Sequence, residues 1–228
     1  MKILAIETST PAASAAVCED DRTLAEINLD AGVKHGDRLL VTVNFLLEKV
    51  GMTPGDIEAF AVDNGPGSFT GVRTGLALVK GFVMAKPVPV ASVSSLRVLA
   101  EAGRYFEGVV MPVIDAKKGE VYTAAFESDG RGGMSRMTDD SAMDPGKVAS
   151  MVEGPVLALG DGLLKYMDAI VDGREIIAAP RWMWPPRASL LAALALEKIQ
   201  DGNTEDVDGL LPAYCRNTDA ELKLGPRQ

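Results

Sequence analysis

Cysteine and histidine are nearly absent from this sequence of 228 residues, which has two cysteines and one histidine. Cys18 and Cys215 can build neither a disulfide framework nor a cysteine metal cage, and sparse cysteine is typical of the reducing cytosol. His35 has no second histidine with which to form a zinc site, and no nucleophile has a histidine base. The composition therefore excludes zinc hydrolases, disfavours peptidases and predicts free thiols.

Basic charge and long apolar runs are also scarce. The chain has 23 lysines and arginines against 32 acidic residues, a net charge of −9, which opposes the attraction to phosphate that dominates nucleic-acid affinity. No apolar run approaches the roughly 20 residues that cross a bilayer, and the run at residues 3–6 is too short for a signal peptide. We expect a cytoplasmic protein that binds no membrane and does not bind RNA on its own.

The residues that are present predict a folded α/β protein. Hydrophobic residues make up 47% of the chain and charged residues 24%, which is enough apolar material for a core. Apolar periodicity and turn residues predict the following order. Strands are expected at 3–6, 12–17, 24–29, 57–62, 87–91 and 156–159, and helices at 36–50, about 68–85, 94–103, 163–171 and 189–200.

The opening of the chain recurs in its second half. A shift of 108 residues places residues 109–129 beneath residues 1–21 without a gap, and Asp115 then falls on Glu7. Both copies read as an apolar strand with an acidic end, a polar turn and a small-residue strand, which predicts an internal duplication. We therefore expect two α/β halves, residues 1–105 and residues 106–228.

The segment GPGSFTGVRTG, residues 65–75, is rich in glycine and precedes a predicted helix. A phosphate site is one interpretation, because a helix N-terminus offers unpaired N–H groups. The spacing matches neither a P-loop nor G-x-G-x-x-G, since no lysine follows in the required place and Thr70 replaces the last glycine. The favoured interpretation is a tight turn followed by a helix whose face of Gly67, Gly71 and Gly75 packs closely against a neighbour.

Six stretches resemble one family. ILAIETST, HGDRLL, VDNGPGSFTGVRTGLALVKG, ASVSSL, VIDAKKGEVY and LPAYCR occur in colinear order, and together they resemble the bacterial TsaB (YeaZ) family. The resemblance implies an α/β fold of the actin-like ATPase (ASKHA) type, with two tandem RNase H-like halves that each have a mixed β-sheet flanked by helices. It also implies a non-catalytic scaffold, needed when a paralogous subunit transfers a threonylcarbamoyl group to adenosine 37 of tRNA.

The same resemblance implies partners and an interface. The expected partners are the TsaD-like catalytic paralogue and a TsaE-like ATPase, with a homodimer in isolation and tRNA contacted only through the complex. The apolar faces of the two long helices are then expected to pack against the matching pair of the partner, and the alternative is that both faces are entirely core. The candidate interface residues are His35, Leu39, Leu40, Val43, Leu46, Leu47, Gly71, Val72, Gly75, Leu76 and Val79.

Cofactor binding by the isolated chain is not expected. In active members of the resembled fold, a carboxylate at the end of the first strand precedes a glycine-containing turn for phosphate and Mg²⁺. Here Thr8 follows Glu7, and the glycine turn is also missing after Asp115. The candidate cofactor-binding residues are Glu7, Thr8, Asp115 and Gly160, and ATP or ADP at the interface with the partner stays open. The alternative function is an ATP- and Mg²⁺-dependent enzyme acting alone through Glu7 and Asp115.

Two further clusters carry expectations. Lys117 and Lys118 form an adjacent basic pair, for which a solvated hairpin is favoured and contact with tRNA or phosphate inside a complex is the alternative. The late segment of Pro212, Tyr214 and Arg216 is expected to dock on the body of the protein. Tyr214 would bury its ring there, and Arg216 would pair with a carboxylate.

Overall fold

The computed structural model describes residues 1–29, 36–171 and 175–215, which form two β-sheets with helices packed on them. The strands are β1 (Lys2–Glu7), β2 (Ala13–Glu19), β3 (Arg22–Leu29), β4 (Ala59–Asp63), β5 (Val90–Val93), β6 (Glu107–Lys117), β7 (Glu120–Thr123), β8 (Phe126–Asp129), β9 (Met134–Arg136), β10 (Ser141–Met143), β11 (Val156–Leu159) and β12 (Ile176–Ala178). The α-helices are α1 (Gly36–Lys49), α2 (Phe69–Ala85), α3 (Ser95–Glu101), α4 (Pro145–Val148), α5 (Leu163–Val171) and α6 (Ala188–Gln200). Short 3₁₀ turns lie at Pro54–Asp56, Ala149–Met151 and Arg181–Met183.

The two sheets repeat one strand order. The first runs β3-β2-β1-β4-β5, and the second runs β10-β7-β6-β11-β12, with β8 and β9 added beside β6. In each sheet the central strand is antiparallel to the next strand of the chain and parallel to the strand on its other side. The internal duplication and the predicted fold of two RNase H-like halves are therefore confirmed.

The second hairpin is displaced by one residue relative to the first. Glu7 lies opposite Ser14, whereas Asp115 lies opposite Val121 rather than Tyr122, which the shift of 108 would place there. An irregularity in the β6–β7 pairing between Asp115 and Lys117 accounts for the slip, because an extra residue in one strand of a hairpin displaces the register.

Helix α6 packs on the first sheet, which departs from the predicted division at residue 106. It contacts β1, β2 and β5, and its Leu191 and Ala195 lie in one buried cluster with Ile3 and Ala5. Both faces of the first sheet are apolar, and α1 and α2 cover only one of them, so the chain returns to cover the other. Glu26 on β3 fixes the start of α6 by accepting a hydrogen bond of 3.0 Å from the backbone N–H of Ser189 and by pairing with Arg187.

The segment after α6 covers the edge of β5. The Glu205 carboxylate accepts hydrogen bonds of 2.8 Å from the Ser92 N–H and 2.9 Å from its hydroxyl. The Glu205 N–H donates to the Val90 carbonyl at 2.9 Å, and Leu210 is buried in the core beneath α1 and α2. These contacts satisfy an exposed strand edge that would otherwise pair with another chain.

The described residues bear on the cysteines and on membrane-spanning helices. Cys18 and Cys215 are free thiols. Throughout residues 1–29, 36–171 and 175–215, we find no helix with the length and apolar character that crossing a membrane requires.

Candidate functional site

Glu7 and Asp63 end the neighbouring parallel strands β1 and β4, and both are fully buried. The backbone N–H of Ser9 donates to Oε1 of Glu7 at 2.9 Å, and the Ser9 hydroxyl donates to the same oxygen. The backbone N–H of Thr8 donates to Oδ1 of Asp63 at 2.7 Å. The N–H groups of this turn therefore point inward to two carboxyl groups, away from the surface.

Burial governs the protonation of this pair. It raises the pKa of Glu7 well above its ordinary value, and the nearby charge of Asp63 adds to the effect against the hydrogen bonds from Ser9. Burial also raises the pKa of Asp63 to about 6, although the hydrogen bonds from Thr8 oppose the rise. Such a pair disfavours two negative charges at once.

The glycine face of α2 fills the space above the Thr8–Ser9 turn. A Cβ atom at Gly71 would collide with the carbonyl oxygen of Thr8, and one at Gly75 would lie 2.5 Å from the Thr8 hydroxyl oxygen. The backbone N–H of Ser68, the residue that caps α2, donates to the Ser9 carbonyl at 2.6 Å. The favoured interpretation of the glycine segment is thus the one that the structure shows, a tight turn and a closely packed helix.

Cofactor binding at Glu7 and Thr8 does not fit this geometry. Both residues are 0% exposed, and the N–H groups of Thr8 and Ser9, which a phosphate would need, are already bonded to Asp63 and Glu7. The backbone N–H groups of the Thr8–Ser9 turn are therefore not available to a phosphate. The prediction of Glu7 and Thr8 as cofactor contacts is wrong for this conformation.

The strand ends of the second half are more open. Asp115 on β6 and Asp161 after β11 lie together, with the Asp115 N–H donating to Oδ1 of Asp161 at 3.2 Å. Burial raises the pKa of Asp161. Burial would also raise the pKa of Asp115, but hydrogen bonds from the side chain and backbone of Lys117, the former 2.8 Å long, hold it below its ordinary value.

A cleft of about 310 Å³ separates this pair from the first half. Ser9 and Ser68 line one side, and Asp115, Tyr122 and Asp161 line the other. Gly160 does not line it. Its positive φ of 124° turns the chain after β11, and a Cβ atom there would collide with the Val113 carbonyl. Of the four predicted cofactor residues, the structure brings only Asp115 to the cleft.

Most of the predicted interface residues are core residues. Leu39, Val43, Leu46, Leu47, Gly71, Val72, Gly75, Leu76 and Val79 are all buried within the protein. The sheet lies beneath α1 and α2, so the most regular apolar stripe of each helix packs inward. The prediction that these nine side chains meet a partner is wrong, and His35 lies outside the described residues.

A second apolar row lies on the outside of α1. Leu40, which was predicted, is 47% exposed, and it is joined by Val41 at 66% and Phe45 at 50%. On α2 the exposed apolar side chains are Phe69 at the N-terminal end and Met84 at the C-terminal end. Large apolar side chains repeated along one exposed helix face are typical of a contact surface.

The late segment docks on the first turn of α2. The ring of Tyr214 stacks on Phe69 at 5.9 Å between ring centroids, and the backbone N–H of Ala213 donates to the Asn64 carbonyl at 2.7 Å. Docking was predicted correctly, but Tyr214 keeps 46% of its surface exposed. Arg216 lies outside the described residues.

The basic pair forms the turn of the β6–β7 hairpin. Lys117 and Lys118 both have positive φ, 61° and 54°, and Lys117 pairs with Asp115. The favoured interpretation, a hairpin, is the one that the structure shows. Lys117 also lines the cleft, which that interpretation did not predict.

Sequence reasoning missed four residues of these sites. Asp63 ends β4 and Asp161 lies just after β11, and each of these strands is the parallel neighbour of an acidic central strand. An acid at the end of that neighbouring strand in both halves was the signal available. Val41 and Phe45 are apolar residues at positions i+1 and i+5 from Leu40, on the opposite side of α1 from the buried stripe.

Comparison with known proteins gives consistent matches. The family model for TsaD, tRNA N6-adenosine threonylcarbamoyltransferase, matches residues 29–224. The tRNA threonylcarbamoyladenosine biosynthesis protein TsaB of Bacillus subtilis is 35% identical over 98% of this chain and 97% of its own length. The solved structure of YeaZ from Pseudomonas aeruginosa has a TM-score of 0.81 and 29% identity over 93% of this chain and 99% of that chain. Component A of the (R)-2-hydroxyglutaryl-CoA dehydratase of Acidaminococcus fermentans shares the fold alone, with a TM-score of 0.51 and 11% identity over 88% of this chain and 99% of that chain.

Proposed function

Because the chain belongs to the TsaB (YeaZ) family of tRNA threonylcarbamoyladenosine biosynthesis proteins, we propose that it is a non-catalytic scaffold that binds and orders a paralogous catalytic subunit. The exposed apolar row Leu40, Val41 and Phe45 on α1 carries this proposal. It lies outside a stripe that already covers the sheet, so the fold of the single chain leaves it without an internal role. Burying such a row against a second helix pair would remove apolar surface from water.

The partner that best fits this row is a subunit of the same fold. The family model for the threonylcarbamoyltransferase matches most of this chain, so a catalytic subunit of that family would present a matching pair of helices. A second copy of the chain would use the same row, and the homodimer and the heteromer would then compete. In this proposal a TsaE-like ATPase and tRNA join through the complex, in the cytoplasm, without separate binding to this chain.

The geometry of the strand ends supports the non-catalytic part of the proposal. The first half buries Glu7 and closes its turn with α2, which supports the proposal that the isolated chain works without a cofactor at this turn. ATP or ADP, where the complex uses it, would lie at the interface between subunits. An ATP- and Mg²⁺-dependent enzyme acting through Glu7 and Asp115 has less support, and ATP turnover by the isolated chain that is abolished in Glu7→Ala would favour it.

Binding to the catalytic paralogue tests the proposal. Titration calorimetry with purified subunits should show that Phe45→Glu weakens binding by at least about tenfold, which corresponds to about 1.4 kcal/mol, while the melting temperature stays unchanged. Leu164→Glu is the matched control, because Leu164 is a similarly exposed apolar residue on α5 in the other half. Reconstituted tRNA modification should fall with binding. Unchanged affinity in Phe45→Glu and Val41→Glu would contradict this interface.

A further inference from the structure

Two carboxyl groups lie side by side beneath the first turn of the protein. Ile6 pairs with Val62 in the parallel β1–β4 ladder, so Glu7 and Asp63, the next residues, point to the same face of the sheet. Both side chains are fully buried. Two ionised carboxylates in such a place would each lose their hydration and would repel each other.

Their hydrogen bonds account for all but one of the four oxygens. Oδ1 of Asp63 accepts from Thr8, Oδ2 accepts from the Ser95 hydroxyl at 3.3 Å, and Oε1 of Glu7 accepts from Ser9. Oε2 of Glu7 is fully enclosed, and no donor reaches it from any residue that the structure describes. Neither carboxyl takes part in an ion pair among those residues.

We propose that Glu7 and Asp63 share one proton in the folded protein, carried on Oε2 of Glu7, and that losing it loosens the turn beneath α2. A proton on Oε2 removes one of the two charges and places a neutral hydroxyl at the one oxygen that accepts no hydrogen bond. No basic side chain or hydration is then needed to keep the pair buried. The raised pKa of each carboxyl agrees with this arrangement.

The charged groups that face Glu7 are themselves acidic. Asp63 on β4 and, at longer range, Asp161 after β11 both disfavour its ionisation. The other elements around the pair contribute neutral groups, Ser95 from α3 and the glycines of α2. The surroundings therefore favour retention of the proton at neutral pH.

Loss of the shared proton would affect α2 through Thr8 and Ser9. Thr8 and Ser9 bond the carboxyl pair on one side and contact the glycine backbone of α2 on the other, with Ser68 donating to Ser9. A second negative charge would push the strand ends apart directly under this contact. Gly71, in the first turn of α2, packs directly on it.

The sign of the pH dependence follows from the raised pKa values. This pair binds more protons in the folded protein than in the unfolded chain, so the stability that it contributes is fully present at acidic pH and falls as pH rises. For Asp63 the fall runs from its ordinary pKa of 3.8 to about 6, and for Glu7 it begins near its ordinary pKa of 4.5 and continues until the pH passes the raised pKa of the folded state. Most folded proteins, whose carboxylates are stabilised as ions, change in the opposite direction over this range.

Thermal unfolding of the full chain as a function of pH tests the proposal. From pH 4.5 to about pH 8, the melting temperature of the wild-type protein should fall, and that of Glu7→Gln should fall by less than about half as much. Glu48→Gln, on the exposed side of α1, is the matched control and should follow the wild type. A protonated-carboxyl carbonyl band should appear in the infrared spectrum of the wild type at neutral pH and disappear in Glu7→Gln.

Other outcomes would overturn the proposal. Parallel pH profiles for the wild type and Glu7→Gln, or no protonated-carboxyl band, would mean that both groups are ionised. A melting temperature of the wild type that rises with added Mg²⁺, with no rise in Glu7→Gln, would mean that a cation occupies the place of the proton. If Glu7→Gln does not fold, the same pH series of melting temperatures is measured on Asp63→Asn. That series and the infrared band of the wild type then test the proposal.

Discussion

The Tyr214 hydroxyl accepts hydrogen bonds from Nε and Nη2 of Arg73 at 2.9 Å and 2.7 Å, although 141 residues separate the two in the chain. The Arg73 guanidinium also lies 3.9 Å from the centre of the Phe69 ring, on which Tyr214 stacks. The segment GPGSFTGVR supplies Phe69 and Arg73, and the late segment LPAYCR supplies Tyr214. Two stretches that look independent in the sequence thus form one contact.

Removing this contact should release the late segment from α2. Tyr214→Phe keeps the stacked ring and loses the hydrogen bonds, so we expect the free energy of unfolding to fall by no more than about 1 kcal/mol, because the site is half exposed. Tyr214→Ala loses both the stacked ring and the hydrogen bonds, so its free energy of unfolding should fall further. Limited proteolysis should cleave the late segment faster in Tyr214→Ala. Equal cleavage of the wild type and Tyr214→Ala would show that Tyr214 does not hold the segment.

Close packing of α2 on the Thr8–Ser9 turn predicts opposite effects for two glycines of one helix. Gly71→Ala places a Cβ atom against the Thr8 carbonyl, so overpacking should lower stability by roughly 1–3 kcal/mol. Gly81→Ala meets no atom within 4 Å, and it should raise stability by about 0.5–1 kcal/mol through helix propensity. Urea unfolding measures both. A neutral Gly71→Ala would contradict the packing and reopen the phosphate interpretation.

The sequence predicted local structure better than its assembly. Residues 69–85 form α2 almost as the apolar spacing and Ser68 indicate, because those signals are local. The docking of α6 on the first sheet has no local signal, since its alanines and leucines suit either sheet. The same limit applies to α1, where adjacent Leu39 and Leu40 lie about 100° apart around the helix and only the position of the sheet decides which of them is core.

The acidic pair was only half predictable for a related reason. Glu7 stands out because the repeat places Asp115 on it. Asp63 and Asp161 are not related by the same shift, since the second half is shorter between its central strand and the next parallel strand. A single shift therefore aligns the hairpins and loses the second acid of each half. Burial of Glu7 follows from the fit of α2, which a sequence does not display.

The hydrogen bonds that the Glu205 carboxylate accepts from Ser92 on β5 should contribute measurably to stability. Glu205→Ala leaves the Ser92 N–H and hydroxyl without their acceptor, and we expect a loss of about 1–3 kcal/mol in the free energy of unfolding. Glu197→Ala is the control, because Glu197 is an exposed glutamate on the preceding helix. The uncovered strand edge should also make Glu205→Ala aggregate sooner on heating. Equal stability of the two variants would show that the edge does not depend on Glu205.

Two valines of α1 separate folding from association most directly. Val43 is fully buried and Val41 is 66% exposed, and they are two positions apart on one helix with the same side chain. Val43→Glu places an unpaired charge in the core, so we expect a loss of about 4 kcal/mol or more and insoluble protein. Val41→Glu places the same charge in water, so the variant should fold with an unchanged melting temperature.

Sedimentation of Val41→Glu should show monomer at concentrations where the wild type self-associates, because the charge lies on the proposed contact row. A folded Val41→Glu that self-associates like the wild type would place the contact elsewhere on the surface, and a soluble, folded Val43→Glu would contradict the burial of the inner row.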